Sequence, residues 1–134
     1  MKLTAIRENH LYRKAYSGGR RAAAGTVCVY ILRDKKSNQL KKAHPEKKLV
    51  NRVGIAASKK LGGAVERNRA KRVIREAYRL IDASIGIKKG YLVVIAARSA
   101  STVCKMQDAK RDLQYCLSRL DVLEKTDDEK QDNA

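Results

Sequence analysis

Tryptophan and phenylalanine are absent from the 134 residues, and proline occurs once. A core must therefore come from Leu, Ile, Val and Ala, and each of the six tyrosines becomes a residue whose position matters. No apolar run approaches the roughly 20 residues needed to span a bilayer, and the opening "MKLTAIRENH" has no signal-peptide apolar stretch. These absences point to a cytoplasmic protein with no membrane partner. Histidine is nearly missing too, with only His10 in a helix start and His44 in a polar loop. The three cysteines, Cys28, Cys104 and Cys116, are odd in number and form no CxxC pair. They read as small apolar residues in a reducing compartment rather than as a metal site or disulfide framework.

Acidic residues are scarce relative to basic ones, 14 against 31, for a net charge of +17. Six of those acids and only two lysines fall in residues 121–134, so the first 120 residues carry +21. An excess of that size opposes the compaction of a small domain and attracts polyanions, whose condensed counterions are released on binding. Nucleic acid is the expected partner. The eight acids of the first 120 residues are scattered, with no DxD or ExK-like cluster. Nucleases that act alone present clustered carboxylates for metal ions, or a histidine with a partner. No catalytic residue and no metal ligand set is therefore expected of this chain.

The length suits one domain, and the pattern along it alternates helical and strand signals. "ENHLYRKAYSGG" carries Leu11, Tyr12, Ala15 and Tyr16 at helical spacing ahead of two glycines. Residues 26–32, "TVCVYIL", predict a strand, and "RDKKSNQLKKAHPEKK" predicts a mobile basic loop after it. Residues 49–58 return to strand character. Residues 91–97, "YLVVIAA", form a nearly continuous apolar run that predicts a central strand covered on both faces. From Val103 to Leu123 apolar residues recur every three or four positions, as in a long amphipathic helix. The expected fold is α+β, helices packed on a small central sheet. Residues 1–120 form the domain and 121–134 a polar acidic tail, too polar to fold alone.

The most informative stretch is "KKLGGAVERNRAKRVIREAYR", residues 59–79. Advancing 100° per residue from Ala70 gathers Ala70, Val73, Ile74, Ala77 and Ile81 within about 60° of zero, a stripe that packs on the sheet. Arg67, Lys71, Arg75, Asn68, Arg79, Arg72 and Arg69 run from about 60° round to about 260°. A charged helical face is ordinarily a solvated one, supported by pairs such as Arg72 with Glu76. Here eight bases meet only two acids, Glu66 and Glu76. Like charges at i, i+4 cost roughly 0.2–0.5 kcal/mol per pair, so the row gains nothing for the fold by itself, and a phosphate backbone would relieve it. The "LGGAV" turn either offers backbone donors to an anion at the helix N-terminus or is simply a tight connection; both readings stand. The tyrosines are likewise either half-buried filler or a platform for unstacked bases.

Residues 53–79, "VGIAASKKLGGAVERNRAKRVIREAYR", strongly resemble the protein subunit of bacterial ribonuclease P, whose signature is an Arg-Asn-Arg motif in a basic helix after a Ser-Lys-Lys-x-Gly turn. Arg67, Asn68 and Arg69 match the motif, and "LYRKAYSGG", "TVCVYILRD" and "YLVVIAARSA" extend the likeness over most of residues 6–120. The resemblance implies a small α/β sandwich with a left-handed βαβ crossover, a hand that spacing cannot reveal and that runs against the general preference. It implies a catalytic RNA subunit that holds the catalytic Mg²⁺, with no cofactor held by the protein alone. It implies that Lys59, Lys60, Arg67, Asn68, Arg69, Lys71, Arg72 and Arg75 meet RNA phosphates. Tyr12, Tyr16 and Tyr30 would line a cleft for the single-stranded 5′ leader of precursor tRNA. Tyrosine stands at position 12 where the family usually has phenylalanine. The competing expectation, from charge and size alone, is a ribosomal-type protein that binds structured RNA and has no role in cleavage.

Overall fold

The computed structural model describes residues 3–46 and 48–124. Five strands form one open sheet: β1 (Thr4–Ala5), β2 (Arg20–Ala23), β3 (Val27–Arg33), β4 (Arg52–Ala56) and β5 (Tyr91–Ala97), in the order β1-β4-β5-β3-β2. The apolar run 91–97 is the central strand, as its two-sided hydrophobicity predicts. It pairs antiparallel with β3, from Val27 opposite Ala97 to Arg33 opposite Tyr91, and parallel with β4. Four helices complete the α+β fold: α1 (Asn9–Gly18), α2 (Lys35–Ala43), α3 (Ala64–Ser84) and α4 (Met106–Arg119). The segment β4-α3-β5 is the crossover between parallel neighbours.

Alternation along the strands divides the core between the two faces. Val27, Val29 and Ile31 of β3, with Val93 and Ile95 of β5, point to the side that carries α3 and α4 and meet Ile74, Ala77, Ile81, Leu113 and Leu117. Leu92 and Val94 point to the other side and pack with Ile6, Leu11 and Ala15, with Tyr12, Tyr30 and Leu32 at the margin. The basic helix and α1 therefore lie on opposite faces of the sheet. All three cysteines are free: Cys28 and Cys116 are buried and Cys104 is half-buried. Burial pushes the Cys116 thiol up to about 11, keeping it a neutral packing group.

Three local expectations change. The supposed basic loop contains helix α2, started by Asp34, whose carboxylate accepts hydrogen bonds from the backbone N–H and hydroxyl of Ser37. That helix buries none of its residues, so it has no apolar stripe to betray it. The edge strands β1 and β2 also have no apolar run. β2 reads "RRAA" with its arginines exposed, a charged edge that resists pairing with another chain. Finally, the ordered body runs past residue 120. The chain turns at Asp121 (φ 58°) and buries Val122 and Leu123, Leu123 bridging Ile87. The tail expected from residue 121 therefore begins inside the core; its residues 125–134 lie outside the described residues.

Candidate RNA interface

Helix α3 follows a 3₁₀ turn, Lys59–Leu61, and the Gly62-Gly63 pair. Gly62 has φ 131°, a region that side chains disfavour, so the first glycine is required by the turn itself. Glu66 in the first turn of α3 folds back over the pair, its carboxylate 3.1 Å from where a Cβ on Gly63 would stand. The positive end of the helix thus already has its own acid. Of the two readings of "LGGAV", the tight connection is the one the geometry favours.

Along the helix, Ala70, Ile74, Ala77 and Ile81 are buried as the 100° count requires, and Tyr78 joins them. Asn68, Arg72 and Arg75 are exposed, Lys71 and Arg67 half-buried. Among the described residues no carboxylate lies within ion-pair distance of Lys59, Lys60, Arg67, Lys71, Arg72 or Arg75. Glu76 pairs with Arg79 rather than with Arg72. Asn68, Lys71, Arg72 and Arg75 border one shallow concavity together with Val65. The result is an outward surface of uncompensated cations on a rigid helix, spaced to follow a polyanion.

Arg69 departs from this group. Its guanidinium turns toward α4, where Nη1 donates to the carbonyls of Thr102 (2.8 Å) and Ser101 (3.4 Å) and Nη2 to that of Cys104 (2.8 Å). These carbonyls belong to the 3₁₀ turn Ser99–Thr102 and the link into α4. The side chain clamps that connection to α3.

Across the sheet edge, a groove of about 490 Å³ runs between α3 and α1, bordered by Lys71, Arg75 and the Glu76–Arg79 pair on one side and Tyr12 on the other, with Gly54 at its floor. Tyr12 lies flat on β4 because Gly54 has no Cβ; one placed there would collide with the phenol ring. Farther along α1, Tyr16 meets Tyr30 of β3 edge-on, with centroids 4.8 Å apart and planes at 89°. Arg21 of β2 stands over the Tyr30 ring at 6.0 Å and donates through Nε to Cys28 Sγ (3.2 Å). Tyr16 is 42% exposed, leaving ring surface available to a base. Burial raises the phenol pKa of Tyr12 and Tyr16, and a hydrogen bond with Cys28 raises that of Tyr30. The rings stay neutral at physiological pH and do not repel phosphate. The sequence reading missed Arg21 as a member of this surface; Arg79, which it placed on the outward arc, pairs with Glu76. Only the place of Arg21 beside Tyr30 marks it, and that place depends on the pairing of β2 with β3.

The buried and half-buried acids have structural partners. Asp34 pairs with Arg52, Asp82 with Lys89, and Asp112 accepts from the backbone and hydroxyl of Thr26. His10 sits 3.4 Å from Glu8 and His44 3.6 Å from Glu46, both on the surface. Among the described residues no three His, Cys, Asp or Glu side chains come together as a metal site would need, and no helix is long and apolar enough to cross a membrane.

Replacement of Gly54 by alanine should displace the Tyr12 ring from β4. We expect this overpacking to cost roughly 1–3 kcal/mol of stability. Thermal melts check this, and an unchanged midpoint would show that the ring moves aside freely.

Comparison with known proteins agrees with this geometry. The sequence model of the family described as Ribonuclease P matches residues 1–121. Over 118 residues the chain is 35% identical to the ribonuclease P protein component of Clostridioides difficile, covering 87% of this chain and 91% of that one. Over 87 residues it is 40% identical to that of Dehalococcoides mccartyi strain CBDB1, covering 65% and 69%. The structure of the Staphylococcus aureus RNase P protein superposes with a TM-score of 0.71 at 27% identity, covering 92% of this chain and all of that one. The Thermotoga maritima RNase P protein, at 19% identity and TM-score 0.62, shares the fold. With its motif helix exposed, its tyrosines on the opposite face and its sequence matched nearly from end to end, the chain belongs to the ribonuclease P protein family.

Proposed function

We propose that this protein, a component of an endoribonuclease, binds the catalytic RNA through the outward side of α3 and receives the 5′ leader of precursor tRNA along the tyrosines of α1 and β3. The observation that carries this reading is the set of cations on α3 without ion-pair partners among the described residues, beside a groove bordered by Tyr12. Phosphates meeting Lys71, Arg72 and Arg75 would release counterions. A splayed base on Tyr16 or Tyr30 would gain about 1–3 kcal/mol. Lys59, Lys60, Arg67 and Asn68 extend the phosphate surface, and Arg69 supports it from behind. Cleavage then belongs to the RNA subunit, whose folded phosphates hold Mg²⁺, and the protein lowers the charge repulsion between two RNAs. Such a role suits the cytoplasm, where tRNA is matured.

The test is cleavage of precursor tRNA by the cognate RNA subunit in low magnesium, with and without the purified protein. We expect cleavage to depend on the protein; an unchanged rate would reject the reading. Substitution of Tyr16 by alanine should weaken leader-bearing substrate selectively while leaving affinity for the RNA subunit intact. Removing Arg72 or Arg75 should instead reduce the salt dependence of binding to the RNA subunit, by up to about 0.9 in slope per phosphate contact. A ribosomal-type RNA-binding protein would show neither a leader effect nor stimulated cleavage.

A further inference from the structure

Helix α1 has two flanks, and the tyrosines use only one of them. On the opposite flank a second groove, of about 640 Å³, runs between α1, the end of β3 and the start of α2. Leu11, Leu32 and Leu92 contribute its apolar floor, where Arg52 and Asp34 form an ion pair with Nε–Oδ2 2.6 Å and Nη2–Oδ1 2.9 Å. Lys14, Arg33, Lys35 and Lys36 form its walls. Among the described residues none of these four cations has a carboxylate within ion-pair distance. The two acids that border the groove are already engaged, Glu8 facing His10 and Asp34 neutralised by Arg52.

The placement of Lys35 and Lys36 sharpens the point. They occupy the first turn of α2, which holds no acid, so two positive charges sit at the positive end of the helix dipole and destabilise it. The helix buries none of its residues and is held by the Asp34 cap and by Asn38, whose amide donates to the Gly90 carbonyl (3.1 Å). An element that adds nothing to the core thus presents cations into a concave surface, where an anionic partner would offset their cost. No tyrosine lines this groove, and its one ring, His10, already faces Glu8 at 3.4 Å. Four unpaired cations around an apolar floor suit backbone phosphates, contacts that position a partner without reading its sequence.

We propose that the α1–α2 groove seats the phosphate backbone of a paired segment of the catalytic RNA, independent of the leader. This rests on the function proposed above, because it takes the RNA subunit as the partner. The two RNA contacts would then lie on opposite faces of the sheet, one on α3 and one beside α2, and the domain would be wedged between two segments of the same RNA.

The test is titration of the RNA subunit alone, without tRNA, by the full chain over a range of salt concentrations. The double substitution Lys35→Ala with Lys36→Ala should lower affinity roughly fivefold per lost phosphate contact at about 0.15 M salt, and reduce the salt slope by up to about 1.8. Lys35→Arg with Lys36→Arg should retain both. The thermal midpoint of the alanine variant should not fall, since the substitution removes charges that oppose the α2 dipole. Preference for leader-bearing over leaderless tRNA should be unchanged. An unchanged slope, in a preparation where Arg72→Ala with Arg75→Ala does reduce it, would overturn the proposal and leave the function intact. A loss seen only with leader-bearing tRNA would also overturn it, by placing the leader in this groove. If neither pair of substitutions alters the slope, the function proposed above fails, and this inference fails with it.

Discussion

Replacing Arg69 by alanine should destabilise the protein far more than replacing Arg72 or Arg75, although all three lie in one basic helix. The Arg69 guanidinium makes two 2.8 Å hydrogen bonds to the carbonyls of Thr102 and Cys104 and a longer one to Ser101. Ser101 is buried, so loss of the clamp leaves polar groups at the α3–α4 junction without their donor. Hydrogen bonds to a charged group contribute about 1.5–3 kcal/mol each. With the side chain only half-buried, a total loss of about 2–4 kcal/mol is expected, a fall in melting temperature on the order of 10 °C. Arg72→Ala, with no ion-pair partner to lose among the described residues, should change the midpoint little. Among molecules that remain folded, the salt slope for RNA binding should drop with Arg72→Ala and hold with Arg69→Ala. A stable Arg69→Ala variant with a reduced slope would show that the side chain leaves its carbonyls to meet phosphate.

The second large effect is expected at Asp34. Its carboxylate is 2% exposed, takes a bidentate interaction from Arg52, itself 16% exposed, and caps α2 through Ser37. Removing one member of a buried pair leaves the other charge desolvated and unpaired, which costs about 3–5 kcal/mol, and the lost cap adds about 1 kcal/mol. Asp34→Ala should therefore leave the domain marginally stable, whereas a substitution that removes both charges should be milder. Burial by itself would raise the Asp34 pKa, but the hydrogen bonds from Arg52 and Ser37, with the Arg52 charge, outweigh it and hold the carboxyl below its ordinary value. A depressed carboxyl stabilises the fold fully above its unfolded pKa, and this contribution is lost as pH falls through the folded value. Acid melts should show wild-type stability declining below about pH 4, with that acid limb flattened in Asp34→Asn. An unaltered limb would show that the pair does not contribute to acid stability.

The strongly patterned elements were legible from residues alone. The apolar run 91–97 is the central strand end to end, and the 3.6-residue stripe of α3 is buried where the count places it, because burial on one or both faces imprints itself directly on composition. Elements outside the core leave no such imprint. Helix α2 buries nothing, and β1 and β2 are edges whose stability comes from the strands beside them. Periodicity carries the last helix on to Leu123, but the helix ends at Arg119, and Val122 and Leu123 enter the core after the turn at Asp121, where Ile87 stands opposite Leu123.

The candidate site divides in the same way. The helical count placed Arg69 at about 260°, at the border of the outward arc, but no count shows what element lies beyond that border. Here it is the turn before α4, whose open carbonyls claim the guanidinium. The tyrosines could be named as core or platform from sequence. Only the packing of α1 on β3 and the bare backbone at Gly54 bring Tyr30 to Tyr16 and lay Tyr12 against the sheet.

By itself, the order of residues determined that this chain would be an α+β domain with one strongly cationic helix, because hydrophobic period and net charge are local, additive properties of a polymer. Which of those cations remain open to RNA, and that α1 divides the far face into an aromatic groove and a cationic one, was decided by tertiary structure. The reason is that a side chain's chemistry depends on the acceptors within about 3 Å of it, and those come from segments distant in the chain.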